Sequence, residues 1–211
     1  MSPTVLKQLS KELFTESNSQ NNAISESQKI HLISNHISSI LEILGLDIED
    51  ESIRDTPVRV AKMYVEEIFS GLDPDLKPEM VLFENKNGYE EMLVEKDITF
   101  FSYCEHHLVP FFGKAHVAYF PHRHIVGLSK LNRLVQYLAR KPHVQERLTV
   151  EIGRELQSSL LTNDVAVVLE GKHLCISSRG VEDVNSITKT FFFSGKFEER
   201  EMREDFLRQI Q

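Results

Sequence analysis

The succession of hydrophobic periods along this sequence predicts an α+β fold: an antiparallel sheet with helices on one face, preceded by N-terminal helices. Three observations carry that expectation. From about residue 90 onward the segments read strand, strand, helix, helix, strand, strand. Upstream of that point, apolar residues recur at helical spacing instead. With 41% hydrophobic and 27% charged residues in 211, the chain can build a core and is too apolar to be disordered throughout.

Residues 1–26 are rich in Ser, Asn, Gln and Glu and predict a mobile polar arm, with room for a short helix around Val5–Phe14. A helical region over 27–90 follows. Ser25 and Gln28 have the spacing of a capping box. Ile30, Ile33, Ile37, Ile40, Leu41 and Leu44 then form an apolar stripe, and Gly45 suits its C-terminal end. Thr56-Pro57 predicts a second helix, with Thr56 as N-cap and the proline at the first position. Its stripe is Val60, Ala61, Tyr64, Val65 and Ile68; Arg59 and Lys62 lie off it, and Gly71 ends it.

The region 91–211 changes period. Ile98–Tyr103 and Phe112–Phe120 read as strands, the second closed by Pro121. Helices follow from Ser129 (Leu131, Leu134, Val135, Leu138) and through Leu148, Ile152, Leu156 and Leu160, separated by Lys141-Pro142. Val165–Leu169 predicts a buried strand running on toward Cys175, Ile187–Ser194 the last strand, and Glu198–Gln211 a charged closing helix. A sheet of four such strands has exposed edges, which invite pairing with other subunits.

Composition narrows the function. The formal charge of −8 argues against nucleic acid or an anionic membrane as a partner. No run of about 18 apolar residues predicts a membrane span, and the N-terminus has no secretory pattern. Two cysteines make no secreted disulfide framework, so a cytoplasmic location is expected.

The cysteines themselves point elsewhere. Cys104-Glu-His-His107 lies on the connection between two predicted strands, where Cys104 and His107 can reach one metal ion. Cys175, with His173 two residues before it, offers a third ligand. Three protein ligands leave a fourth zinc position open, the catalytic arrangement, and His106 and His173 are then placed as proton carriers. The plainer reading is a free cysteine in a core beside chance histidines. Lys130 and Arg133, at the start of the helix opening Gly127-Leu-Ser-Lys, suit a phosphate. Arg59 with Lys62, and Arg179 before Gly180, offer further cations. A solvated helix face is the ordinary reading of any one such pair, Ser129 being then an N-cap and Glu146 a first-turn acid.

Several long motifs stand in one order. They are Arg54-Asp-Thr-Pro-Val-Arg-Val-Ala-Lys-Met-Tyr64, Glu67-Ile-Phe-Ser-Gly-Leu-Asp73, Cys104-Glu-His-His-Leu-Val-Pro-Phe111 and Gly113-Lys-Ala-His-Val-Ala-Tyr119. Gly127-Leu-Ser-Lys-Leu-Asn-Arg133, Val144-Gln-Glu-Arg-Leu-Thr149, His173-Leu-Cys175 and Arg179-Gly180 follow. Together they resemble the GTP cyclohydrolase I family over roughly residues 30 to 197. The resemblance implies the tunnelling fold, in which subunits pair edge to edge into pentamers and two rings make a homodecamer with active sites at subunit interfaces. It implies conversion of GTP to 7,8-dihydroneopterin triphosphate with release of C8 as formate, the first step of pterin (folate or tetrahydrobiopterin) biosynthesis.

It also implies roles. Zn2+ at Cys104, His107 and Cys175 would activate water for addition to C8. His106 and His173 would move protons, and Glu146 would bind the guanine edge. Lys130, Arg133, Arg179, Arg59 and Lys62 would hold the triphosphate, and Ser129 would sit by the ribose. Ser177-Ser178, Pro121-His-Arg-His124 and Phe191-Phe-Phe193 depart from the family pattern. Two other readings remain: a nitrile reductase of queuosine synthesis with the same fold, and a silent or structural zinc-binding relative. Intact His106, His173 and Glu146 argue against silence, and Cys-Glu-His-His with His-x-Cys argues against the reductase.

Overall fold

The computed structural model describes residues 24–211. The arm expected at 1–26 and the short helix within it lie almost wholly outside the described residues. The chain divides into two compact units between Val65 and Glu66.

In the first unit, helix α1 spans Glu26–Ile43. Both halves of the Ser25/Gln28 capping box are made. Its other end is a Schellman turn: Gly45, at φ 82°, donates to Glu42 O, and Leu46 donates to Leu41 O. Helix α2 spans Thr56–Lys62 and passes into a π-helical turn over Met63–Ile68. Thr56 is not the N-cap. That position falls to Asp55, because Thr56 N already donates to Ile53 O at 2.7 Å and the helix grows out of a preceding turn.

The second unit is built on strands β1 (Leu82–Glu84), β2 (Leu93–Cys104), β3 (Pro110–Tyr119), β4 (His124–Val126), β5 (Pro142–His143), β6 (Val165–His173) and β7 (Thr188–Phe193). Its helices are α3 (Leu128–Ala139), α4 (Gln145–Leu160), the short α5 (Leu174–Ser177) and α6 (Arg200–Gln209). The main sheet has the order β5-β2-β3-β6-β7. The four long strands are antiparallel, and β5 adds a two-residue parallel step at the end of β2. β1 and β4 form a separate ribbon that the sequence pattern did not predict. The Pro121–His124 turn leads into it.

Strand β2 is longer than its apolar run because a bulge joins two phases. Glu95 pairs with Val117 and Ile98 with Ala115, leaving one extra residue, and Asp97 sits at φ 62°. The bulge resets the alternation, so Ile98, Phe100, Ser102 and Cys104 all point inward and are buried. Against that face pack Leu131, Leu134, Val135 and Leu138 of α3 and Leu148, Ile152 and Leu156 of α4. The pattern of α3 and α4 is therefore the core pattern expected.

The opposite face is covered at one corner by α6. Phe206 and Phe197 pack with Ala118, Phe120, Ala166 and Val168. That second cover explains why Val165–Leu169 is an unbroken apolar run: both faces of β6 are buried there. The aromatic run in β7 divides likewise. Phe192 packs inward, in contact with the inner core, while Phe191 and Phe193 stack on the outer face with ring centroids 6.0 Å apart.

Leu148 is fully buried between α4 and the sheet. Leu148→Ala is expected to cost about 2–5 kcal/mol, read as a lowered thermal midpoint with an unchanged far-ultraviolet spectrum.

Candidate active site

The turn between β2 and β3 closes on one carbonyl. His107 N and Leu108 N both donate to Cys104 O, at 3.3 and 2.8 Å, while Cys104 N donates to Val109 O. Leu108 takes the left-handed conformation, φ 52°, that so tight a return requires. The chain therefore folds His107 back over Cys104: His107 Nδ1 lies 3.9 Å from Cys104 Sγ, and His106 Nδ1 lies 3.5 Å from it.

Cys175 arrives from the other side of the sheet centre. Strand β6 ends at His173, and the one-turn helix α5 swings Cys175 inward. Ligand atoms of Cys104, His107 and Cys175 all lie within 4.8 Å of one another. Zinc–sulfur and zinc–nitrogen bonds are about 2.3 and 2.0–2.1 Å, so a single ion fits this group with small side-chain adjustment. Burial first, then the neighbouring Cys104 thiol, push the Cys175 thiol up. Arg179 Nη1 lies 3.2 Å from His107 Nε2, which puts that cation at the same end of the sheet.

His173 is held in two ways. Its ring stacks on the buried Phe111 ring at 4.6 Å and 3°. Its Nε2 lies 2.8 Å from Gln145 Oε1. Burial holds the His173 pKa below its ordinary value, with nearby Glu146 acting in the opposite sense. Glu146 itself is exposed in the first turn of α4. Its neighbour Arg147 makes a two-pronged ion pair with Glu105, at 2.7 and 3.0 Å, tying the helix to the metal-side turn. That hydrogen bonding holds the Glu105 carboxyl below its ordinary range.

Other residues singled out in the sequence lie elsewhere. Gly127 caps α3, so Ser129 is an exposed first-turn residue and not the N-cap. Ser129 and Lys130 sit in the first turn of α3 and Arg133 about one turn further along; the helix begins next to Val126, whose N–H donates to Tyr119 Oη. Tyr119 ends β3, whereas the metal-side turn begins it at Pro110. Ten residues of strand separate the two ends, roughly 30 Å at about 3.3 Å per residue. The start of α3, with Ser129 and Lys130, therefore lies at the opposite end of β3 from the metal-side turn. Arg59 and Lys62 belong to the first unit, where both are exposed and Arg59 pairs with Asp55 at 3.3 Å. The two serines before Arg179 hydrogen-bond backward within α5, to His173 O and Leu174 O.

Sequence reasoning passed over Gln145, which is 1% exposed. A signal was present. Gln145 stands three and four residues before Leu148 and Thr149, on the buried stripe of α4, and a polar side chain there must find partners.

The short strand β5 supports the site from behind. Glu105 N donates to His143 O, and buried His143 places Nε2 3.1 Å from Glu151 Oε2. Lys141 also pairs with Glu151. His143 first, then Lys141, hold the Glu151 carboxyl at about 2, against the opposing effect of burial.

The chain resembles known proteins along most of its length. The family described as GTP cyclohydrolase I matches residues 33–211. A Flavobacterium johnsoniae protein named GTP cyclohydrolase 1 is 50% identical over 188 residues, 89% of this chain and 84% of that one. An Actinobacillus pleuropneumoniae protein of the same name is 50% identical over 176 residues, 83% and 81% of the two chains. One from Aeromonas salmonicida is 48% identical over 187 residues, 88% and 86%. Among solved structures, an archaeosine synthase QueF-like protein in its apo form aligns with 49% of this chain and 93% of that one, at 14% identity and a TM-score of 0.40.

A depressed carboxyl stabilises the fold above its ordinary pKa and loses that contribution as pH falls through the folded value. Glu151→Gln should therefore lower the thermal midpoint at pH 7. The gap to the parent protein should narrow below the ordinary 4.5 and close near pH 2. A gap that persists unchanged at acid pH would show that Glu151 acts only through packing.

Proposed function

The chain belongs to the GTP cyclohydrolase I family, and on that premise we propose that it opens the imidazole ring of GTP, releases C8 as formate and recloses the remainder as 7,8-dihydroneopterin triphosphate. The convergence of Cys104, His107 and Cys175 within 4.8 Å, beside His106, His173 and Glu146, is the observation that carries this reading. The tunnelling fold goes with family membership, and the antiparallel sheet with helices packed on its inner face agrees with it.

Cys104, His107 and Cys175 are the residues that would hold zinc, two soft thiolates and an imidazole matching that ion's preferences. An ion held there would supply Lewis acidity to the reaction. His106 and His173 take and return protons during hydration and ring opening; His106 lies beside Cys104, and His173 ends β6 two residues before Cys175. Glu146, an exposed carboxylate at the start of α4, accepts hydrogen bonds from the paired N–H donors of guanine, and adenine offers no such pair. Arg179 takes a phosphate from the metal side.

Ser129, Lys130 and Arg133 act on a substrate bound to a second copy of the chain, with Arg59 and Lys62 as further phosphate contacts. Two observations support a shared site. The α3 start lies at the far end of the sheet from the cysteines. The edges of the sheet are also open among the described residues: β5 covers only Tyr103 and Cys104 of β2, and β7 has no strand beyond it. Closure of these edges in a ring, and of two rings in a homodecamer, is the assembly this reading expects. No helix among the described residues is long and apolar enough to cross a membrane.

The zinc-loaded protein given GTP is expected to yield formate and a pterin in equal amounts, the pterin read by fluorescence after oxidation. Cys104→Ala should lose both zinc and turnover; turnover by a zinc-free Cys104→Ala protein would overturn this scheme. Separately, Cys104→Ala and Arg133→Ala should each be inactive alone, yet regain measurable turnover when co-expressed in mixed oligomers. Failure to regain it in verified mixed oligomers would place both residues in one chain's site.

A further inference from the structure

The polar contacts of Gln145 fix more than its own place. Its Nε2 lies 3.2 Å from Leu169 O and 3.0 Å from Thr188 O. Backbone carbonyls only accept, so this end of the side chain is the NH2 group. The third contact, to Thr190 Oγ1 at 3.1 Å, fits the same orientation. Thr149 Oγ1 donates to Gln145 O at 2.8 Å, so the Thr190 hydroxyl donates to Thr149 Oγ1 at 2.6 Å and keeps a lone pair for the amide. The amide has two hydrogens for these three acceptors, and with either sharing its NH2 end stays on the side of the two carbonyls.

The opposite end of the amide is then an oxygen, and it faces His173 Nε2 at 2.8 Å. An oxygen there accepts, so His173 Nε2 carries the hydrogen. The Phe111 stack fixes the plane of the imidazole, and the Gln145 bond fixes its rotation within that plane. Gly171 makes room for this arrangement. A Cβ at that position would collide with Gln145 Oε1, and Gly171 lies on β6 two residues before His173.

We propose that Gln145 is a positioning residue that locks His173 as its Nε2–H tautomer, leaving Nδ1 as the one ring nitrogen able to accept a proton. His173 then exchanges protons through Nδ1 alone, and Nε2 is a fixed donor into the fold. Without Gln145 the neutral ring divides between two tautomers, and only one presents the basic nitrogen in the working direction. The kinetic consequence rests on the cyclohydrolase reading; the tautomer does not.

The test uses the zinc-loaded full-length protein labelled with nitrogen-15 histidine, the His173 signals being identified by their loss in His173→Asn. The ring-nitrogen shifts at a pH where the imidazole is neutral should report hydrogen on Nε2 and a bare Nδ1. Gln145→Met should give mixed tautomers at unchanged zinc content. Its kcat should fall by about 10- to 100-fold, with KM for GTP moving less than about twofold.

If Gln145→Met does not fold, Gly171→Ala, which crowds the amide oxygen while keeping the glutamine, is read in the same two ways. Hydrogen on Nδ1 in the parent protein would overturn the proposal. So would a folded Gln145→Met protein with the parent tautomer and parent kcat. A parent protein that does not turn over GTP would overturn the cyclohydrolase reading instead, and the tautomer measurement would still decide this one.

Discussion

The register of β3 between β2 and β6 is the constraint on which the rest of the site depends. Tyr103 pairs with Pro110, and Phe111 pairs with His173. These two pairings bring the end of β2, which carries Cys104, to the end of β6, which leads to Cys175. Slipping either pair by one residue would turn its side chains to the other face. Phe111 would leave the core, His173 would lose its stacking partner, and the two cysteines would no longer converge. The bulge at Asp97 belongs to the same constraint, since it sets the phase in which Ile98, Phe100 and Cys104 all face inward.

Around that register the site is assembled from rigid parts. The turn after β2 hydrogen-bonds to its own first carbonyl, the Glu105–Arg147 pair ties it to α4, and β5 backs it through His143 O. Helix α4 supplies Gln145, Glu146 and Arg147 in successive positions with different tasks. Gln145 points into the buried network, Glu146 is exposed, and Arg147 reaches back to the turn. Such support holds reacting groups in place without cost at the moment of reaction. The sheet edges are open among the described residues, and α3 starts at the far end of β3 from this cluster.

Much of the fold was legible because local rules and packing agreed. The Ser25/Gln28 box, the Gly45 terminus, the α3 and α4 stripes and the strand at Val165–Leu169 each obey one dominant period. Thr56 failed as an N-cap because a turn that no periodicity reveals had already satisfied its N–H. The β1–β4 ribbon was missed because three-residue strands have no period to read. In the site, Cys-x-x-His and His-x-Cys were visible as ligand types. Gln145 was not, although it lay on an apolar stripe where a polar residue demands partners.

By itself the sequence determined the element types, the apolar faces and the chemical kinds present: two thiols, clustered imidazoles, a carboxylate and scattered cations. These follow from short-range periodicity and side-chain chemistry, which each segment carries alone. The tertiary structure alone decided which of them meet. Pairing register between strands distant in sequence put Cys104 beside Cys175 and His173 against Phe111. The length of β3 put the start of α3, with Ser129 and Lys130, at the opposite end of the strand from that cluster. Such convergence is a property of long-range pairing, which no local pattern encodes.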